Sequence, residues 1–194
     1  LIKDITDSND DSWQVGHADM TSYDYALTLN ANNAQDNSAN WWGSSNTAPS
    51  STLITLGDVA RSNDSGETHI CYAFADIAGV QKFGAFTGNG NTSGNGPFIY
   101  LGFKPSWLMV KRIDSANNWG ILDAQRNSYN PVELTLYADL DQAEAGSGNE
   151  YVSFTSNGFK ITNDSTANWI NASSGTYVYA AFAETPFANN NRGR

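Results

Sequence analysis

The sequence TYVYAAFAE at residues 176–184 is the strongest indication of the fold, and THICYAFAD at residues 68–76 is its earlier counterpart. Both begin on Thr, end in Phe-Ala-acid and follow a Ser-Gly pair. A run of β-branched and aromatic residues bounded by Gly and Ser predicts a strand. Neither alternating face of either run is polar, so we expect both strands to be covered on both faces and Cys71 to be buried.

Matched features recur along the chain at a nearly constant offset. Trp13 and Trp119 lie 106 positions apart, two Leu-Thr-Leu triplets lie 107 apart, and the two Phe-Ala-acid ends lie 108 apart. Repetition at a fixed period is the signature of a duplicated structural unit. The sequence therefore predicts two tandem units, residues 1–78 and residues 79–194.

Short predicted strands separated by turn residues fill both units, which indicates an all-β fold of antiparallel, jelly-roll-like β-sandwiches. One short helical turn is expected over residues 138–145. The second unit has two extra strands, at residues 82–87 and 97–103, whose copies in the first unit would precede Leu1. We therefore expect the first sandwich to lack its opening strands and to have open edges. Either the parent polypeptide or a neighbouring subunit would cover them.

Composition and charge argue against several classes of partner. The 194 residues include six Trp, nine Tyr and nine Phe, but only 15% are charged. The formal net charge is −10 and the ten Lys and Arg residues are scattered, so we expect no nucleic-acid partner. No apolar run is long enough for a transmembrane helix, so we expect no membrane insertion. Cys71 is the single cysteine, which rules out an intrachain disulfide.

Oxygen donors are dense near the start of the chain, at Asp4, Asp7, Asn9, Asp10 and Asp11. They lack the fixed spacing of a calcium-binding loop, and the matching turn in the second unit is poorer in carboxylates. A solvated turn is the favoured interpretation, with calcium as the open alternative. We therefore predict neither a metal site nor a cofactor.

Patterns typical of catalysis are missing from the sequence. Glycoside hydrolysis needs two carboxylates at a defined separation. The second unit has five carboxylates without a recognisable catalytic strand: Glu133, Asp139, Asp141, Glu144 and Glu150. His69 and Cys71 stand two apart on a strand, too far for a direct hydrogen bond, and are expected to be buried packing residues. The loop GNGNTSGNG at residues 88–96 leads into a strand, which predicts a flexible hairpin loop and not a phosphate-binding loop. We therefore predict no catalytic residues.

Four aromatic residues of the first unit are candidates for contact with a glycan or a protein: Tyr23, Tyr25, Trp41 and Trp42. They lie in a polar, Asn-rich stretch that the second unit does not reproduce. Exposed aromatic rings are suitable surfaces for sugars or for another protein. The alternative is that these rings cap the open edge of the shortened first unit.

The segments KFGAFTGNG at residues 82–90 and PFIYLGFKPSWLMVKR at residues 97–112 resemble a known family, and the likeness resumes at residues 175–187. The chain resembles a repeated domain of structural proteins from marine tailed bacteriophages. In tail-fibre polypeptides this domain often stands beside concanavalin A-like lectin domains. The family has no agreed catalytic residues, so the resemblance assigns none.

The resemblance implies a β-sandwich on the surface of an extracellular virion. The favoured expectation is a tail-fibre, spike or head-fibre module for host-surface attachment. Its expected partners are other virion proteins, further copies of the chain, with a trimer favoured, and a host-surface glycan. The alternatives are a capsid decoration protein, an extracellular filament module and, with less support, a glycan depolymerase.

Overall fold

A computed structural model describes residues 1–6, 12–37, 40–42, 46–146, 151–163 and 167–185. The strands in this part of the chain are β1 Ile2–Asp4, β2 Gln14–Val15, β3 Leu27–Thr28, β4 His69–Cys71, β5 Gln81–Thr87, β6 Phe98–Tyr100, β7 Pro105–Arg112, β8 Gly120–Asp123, β9 Leu136–Tyr137, β10 Val152–Thr155, β11 Gly158–Ile161 and β12 Thr176–Ala183. The described helices are short, α1 Ala60–Asn63 and α2 Asn168–Asn171. The prediction of a nearly all-β, antiparallel fold is confirmed. The helical turn expected over residues 138–145 is wrong.

Strand β12 is an interior strand of a five-stranded antiparallel sheet with the order β5-β12-β7-β8-β9. It pairs along its length with β5 on one edge and with β7 on the other. Tyr177 and Tyr179 face one hydrophobic core, whereas Val178 faces a second core on the opposite side. This stretch is therefore a strand covered on both faces, as its sequence predicts.

The first core lies between the five-stranded sheet and a three-stranded sheet with the order β10-β11-β6. Phe159 and Ile161 of β11 are fully buried in it, as are Leu108 and Val110 of β7. Burial of a side chain of this size contributes about 1.5–3 kcal/mol relative to leaving it exposed. Two antiparallel sheets packed over one apolar core are the arrangement of a β-sandwich.

The opposite face of the five-stranded sheet is covered by a four-stranded sheet with the order β3-β2-β1-β4. Val15 and Leu27 of this sheet pack with Trp119 and Val178 in the second core. The Trp119 indole N–H donates to the Thr28 carbonyl at 2.9 Å, which satisfies a polar group between the sheets. The described chain is therefore layered as three sheets around two cores.

The four-stranded and five-stranded sheets share one arrangement of strands. The order β3-β2-β1-β4 corresponds strand by strand to β9-β8-β7-β12. Helix α1 packs on β1 as α2 packs on β7. The isolated bridge between Ala26 and Asp36 has a counterpart between Thr135 and Ala145. The domain boundary after residue 78 stays a prediction.

The earlier counterpart of β12 differs from its prediction. Only three of its residues form a strand, β4, which pairs with β1 along one edge. His69 is half-buried, and Cys71, Tyr72 and Phe74 are exposed, so the expected burial on both faces is wrong here. The physical reason is that the described residues place no strand along the second edge of β4.

Lys111 of β7 is fully buried, an unusual position for a lysine. Its ammonium donates to the carbonyls of Asn32 at 3.3 Å and Arg112 at 2.7 Å, and lies 5.9 Å from the centroid of the Trp119 ring. Burial lowers the pKa of Lys111 to about 8, because the charged form loses hydration. Lys111 therefore ties the segment after β3 to the five-stranded sheet.

Among the described residues, no helix is long and apolar enough to cross a membrane.

We expect the free energy of unfolding to rise between pH 8 and pH 10, and Lys111→Met to reduce that rise. Because Lys111 titrates near 8 when folded and near 10.5 when unfolded, the unfolded chain binds more protons in this window, and stability increases with pH. Urea denaturation at pH 8, 9 and 10 measures the effect. Lys104→Met, which removes an exposed lysine paired with Glu184, should keep the wild-type rise. An unchanged pH dependence in the Lys111 variant would contradict the assignment.

Candidate functional site

Trp41, a predicted contact residue, is buried, with only 6% of its surface exposed. Its backbone carbonyl accepts the Gly57 N–H at 3.0 Å and the Ser62 hydroxyl at 3.3 Å. With only this fraction exposed, the Trp41 ring offers almost no surface to a glycan or a protein.

The other three predicted contact residues are partly exposed. The Trp42 indole N–H donates to the Tyr25 carbonyl at 3.0 Å, and the Trp42 ring lies closely over Gly16. Tyr25 packs against the second core, and the Tyr23 backbone N–H donates to the Asn46 side chain at 2.7 Å. The structure thus joins Trp42 to Tyr25 and integrates both into the fold. Their contact with a glycan or a protein stays a prediction.

The predicted oxygen-rich turn is described only at its start, because Asp7, Asn9, Asp10 and Asp11 lie outside the described residues. Asp4 is buried, and its Oδ1 accepts the Thr6 N–H at 2.8 Å. Its Oδ2 lies 3.9 Å from His69 Nε2. In the described ranges, no group of three or more His, Cys, Asp or Glu side chains is placed to hold a metal ion. The calcium alternative stays untested.

Carboxylates of the second unit take part in structural contacts. Arg126 bridges Asp123 at 2.5 Å and Glu144 at 2.6 Å. Burial alone would raise the pKa of Asp123, but hydrogen bonds from Arg126 outweigh it and leave the pKa below its usual value. Asp139 accepts the Trp119 backbone N–H at 2.9 Å. A general acid needs a carboxyl that holds its proton near neutral pH, so Asp123 is unsuited to that role.

The surface with the clearest binding geometry is the outer side of the three-stranded sheet. Side chains alternate along β6, so Ile99 enters the first core while Phe98 and Tyr100 point away from it. Phe98 is 48% exposed and Tyr100 is 62% exposed. The surface formed by Phe98, Tyr100, Ser153, Thr155 and Lys160 is called the aromatic face below.

Strand register places polar groups beside the Phe98 ring. Phe98 lies opposite Lys160, and Lys160 lies opposite Ser153. Side chains directly opposite each other in an antiparallel pair have Cβ atoms about 4.5–5.5 Å apart. The Lys160 ammonium donates to the Gly96 carbonyl at 3.1 Å, which holds a positive charge near the ring.

Phe98, Lys160 and Ser153 form one row across the three strands. Tyr100, Gly158 and Thr155 form the second row. A Cβ added at Gly158 would collide with the Ile99 carbonyl and lie 3.2 Å from the end of the Phe98 ring. The glycine therefore lets the Phe98 ring lie close to the sheet between the two rows. The result is two exposed rings on a regular sheet, bordered by one ammonium and two hydroxyls.

Sequence reasoning missed this surface because residues 97–103 form one apolar run, in which no face is marked as exposed. A signal was available in the two partner strands. Strand β10 reads Val-Ser-Phe-Thr and β11 reads Gly-Phe-Lys-Ile, so both alternate between apolar and polar or small residues. Alternation of this kind indicates that one face of a sheet is solvated.

We expect Tyr100→Thr to change the free energy of unfolding by less than about 1 kcal/mol, because the ring is mostly exposed. The matched control is Phe159→Thr on the neighbouring strand, which should destabilise by about 3–5 kcal/mol because its ring is fully buried. Both substitutions introduce a residue that favours strands. Urea denaturation compares them, and an equal loss in the two variants would overturn the outward placement of Tyr100.

Comparison with known proteins identifies one family. No curated protein matches the chain, and no solved structure matches it. The family model described as Domain of unknown function (DUF7483) matches residues 1–186. Because this match covers nearly all of the sequence, the protein belongs to the DUF7483 family.

Proposed function

We propose that this chain is a structural module of a bacteriophage virion that attaches the particle to the host surface. Its place would be a tail fibre, a spike or a head fibre, exposed on the extracellular particle. The proposal starts from the resemblance of residues 82–112 to structural proteins of marine tailed bacteriophages. The proposed role is binding without catalysis.

The observation that carries the attachment proposal is the aromatic face. Sugar rings present apolar C–H surfaces, and an exposed aromatic ring on a regular sheet is a suitable surface for them. The Lys160 ammonium and the hydroxyls of Ser153 and Thr155 can hydrogen bond with sugar hydroxyls at the margin. We therefore propose a host-surface glycan as the ligand of this face.

The double variant Phe98→Ala/Tyr100→Ala should bind the surface polysaccharide of host cells at least about fivefold more weakly than the wild type. Two ring contacts of about 0.5–1.5 kcal/mol each would be lost, while the fold would be retained. Calorimetry with purified polysaccharide and pull-down with intact host cells measure the loss. Tyr129→Ala is the matched control, since Tyr129 is 84% exposed and lies outside the aromatic face. Wild-type affinity in the double variant would refute the assignment.

We also propose that the chain is an internal duplication whose first unit lacks the opening strands of the second. The nearly constant sequence offset supports this, as does the shared strand order of the four-stranded and five-stranded sheets. The positions of α1 on β1 and α2 on β7 agree with it. In this account the second unit is a jelly-roll-like sandwich and the first is its shortened copy.

Within a fibre we propose that the chain assembles as a trimer alongside other virion proteins. Three copies would place three aromatic faces on one particle component, and several linked sites raise avidity for a repeated surface glycan. Capsid decoration and an extracellular filament are the competing structural roles, in which the chain would bind a neighbour of another kind. A depolymerase has the least support, because Glu144, one of the five candidate carboxylates, forms an ion pair with Arg126.

Light scattering coupled to size exclusion should give a mass of about three times the 21.0 kDa of one chain. Dilution over a hundredfold range should preserve that mass if the trimer is the working form. A monomer across the same range would contradict the trimer and favour the decoration or filament role.

A further inference from the structure

The second edge of β4 is open in the described chain. The backbone groups of Thr68 and Tyr72 point to β1, because the Thr68 carbonyl accepts the Ile5 N–H and the Tyr72 N–H donates to Leu1. In an antiparallel strand the intervening residues point the other way. The N–H and C=O groups of Cys71 and Ala73 therefore point away from β1, and no backbone hydrogen bond joins them to another described element.

The corresponding edge of β12 has a strand beside it. The Ala183 N–H donates to the Val80 carbonyl, and the Gly175 carbonyl accepts the Gly88 N–H. The odd-numbered residues of β12 thus bond to β5, which runs antiparallel from one end of β12 to the other. At the offset of 108, the outward groups of Cys71 and Ala73 occupy the positions from which β12 bonds to β5.

The sequence at this edge has neither a charged residue nor a proline to block strand pairing, and the short length of β4 is its remaining protection. Exposed edges are normally blunted by charged residues, proline or a bulge. Residues 68–75 contain neither a charged residue nor a proline, in a chain with a formal net charge of −10. Tyr72 is 47% exposed and Phe74 is 53% exposed beside it. An uncharged, apolar edge is complementary to an uncharged, apolar strand.

We propose that the free edge of β4 accepts a donated strand of the β5 type, running antiparallel to it. The proposal rests on the internal duplication proposed above and is independent of glycan binding by the aromatic face. The β5 register defines the donor: its counterpart of Phe86 would lie beside His69, and its counterpart of Gly84 beside Cys71. Because Cys71 is smaller than its counterpart Tyr179 in β12, the donor does not need a glycine beside Cys71.

The same register predicts which donor side chain would lie opposite Tyr72. In β5, Phe83 lies opposite Ala180, whose counterpart in the first unit is Tyr72. An aromatic or apolar donor side chain at this position would cover the exposed Tyr72 ring, which already lies 5.9 Å from the Trp13 ring. Pairing would therefore satisfy the open backbone groups and remove apolar surface from water at the same time.

The test adds a second copy of residues 79–108 directly before Leu1, which reproduces the spacing between β5 and β7 of the second unit because Lys3 corresponds to Lys111 in strand register. Amide hydrogen exchange at Cys71 and Ala73 should be fast in the original chain and at least about tenfold slower in the extended chain. The melting temperature should rise with it. Unchanged exchange in the extended chain would overturn the proposal.

Two proline variants of the added segment provide a matched comparison. A proline at the copy of Gly84 removes an N–H that would point at β4 and should abolish the protection, whereas a proline at the copy of Ala85 removes an outward N–H and should retain most of it. Equal effects of the two prolines would contradict strand pairing. Protection of Cys71 that grows with the concentration of the original chain would mean that a second copy covers the edge. This would contradict a donor in the β5 register, because the β5 of a folded copy is already paired with its own β12.

Discussion

The enclosure of β12 is the constraint on which the other layers depend. Both edges of this strand are hydrogen bonded and its two faces lie in two different cores. Such a position admits a polar atom only if it has a partner, because a buried unpaired group costs about 1–3 kcal/mol. The Tyr177 hydroxyl meets this condition by donating to the Asn168 carbonyl at 2.8 Å and accepting the Ala172 N–H at 2.7 Å. Burial also raises the pKa of Tyr179 to about 12, which keeps that phenol neutral.

The contrast between β12 and β4 explains how one sequence pattern gives two environments. Both runs are apolar on both faces, but β4 has a partner on one edge only. Phe74 is sheltered in part by aromatic neighbours, with its ring 5.8 Å from Phe83 and 6.4 Å from Phe182. Such contacts reduce the exposed apolar area, but they leave the backbone groups of the edge open. Strand β4 therefore has the sequence of a strand that pairs on both edges, but it lies at the surface with one edge open.

The aromatic face depends on the core beneath it. Phe159 and Ile161 fix β11 from below, and β11 in turn fixes β6 and β10 through its hydrogen bonds. A binding surface whose backbone is already ordered loses little conformational entropy when a ligand binds. The loop before β6 is held as well, since the buried Asn171 amide donates to the Asn91 carbonyl at 3.0 Å and to Asn163 Oδ1 at 3.0 Å. The proposed ligand would thus meet a preformed surface.

The all-β class, the interior strand at residues 176–183 and the recurrence of one strand pattern follow from the amino-acid sequence, because apolar alternation and turn residues act locally. The sequence did not determine exposure, which depends on what packs against each face. Trp41 lies in a polar stretch, which predicts exposure, but it is buried. Phe98 and Tyr100 belong to an apolar run, which predicts burial, but they are exposed. The loop at residues 88–96 was expected to close a hairpin, yet β5 and β6 belong to different sheets. These points depend on tertiary packing, because the neighbours of each strand come from segments far away in the chain.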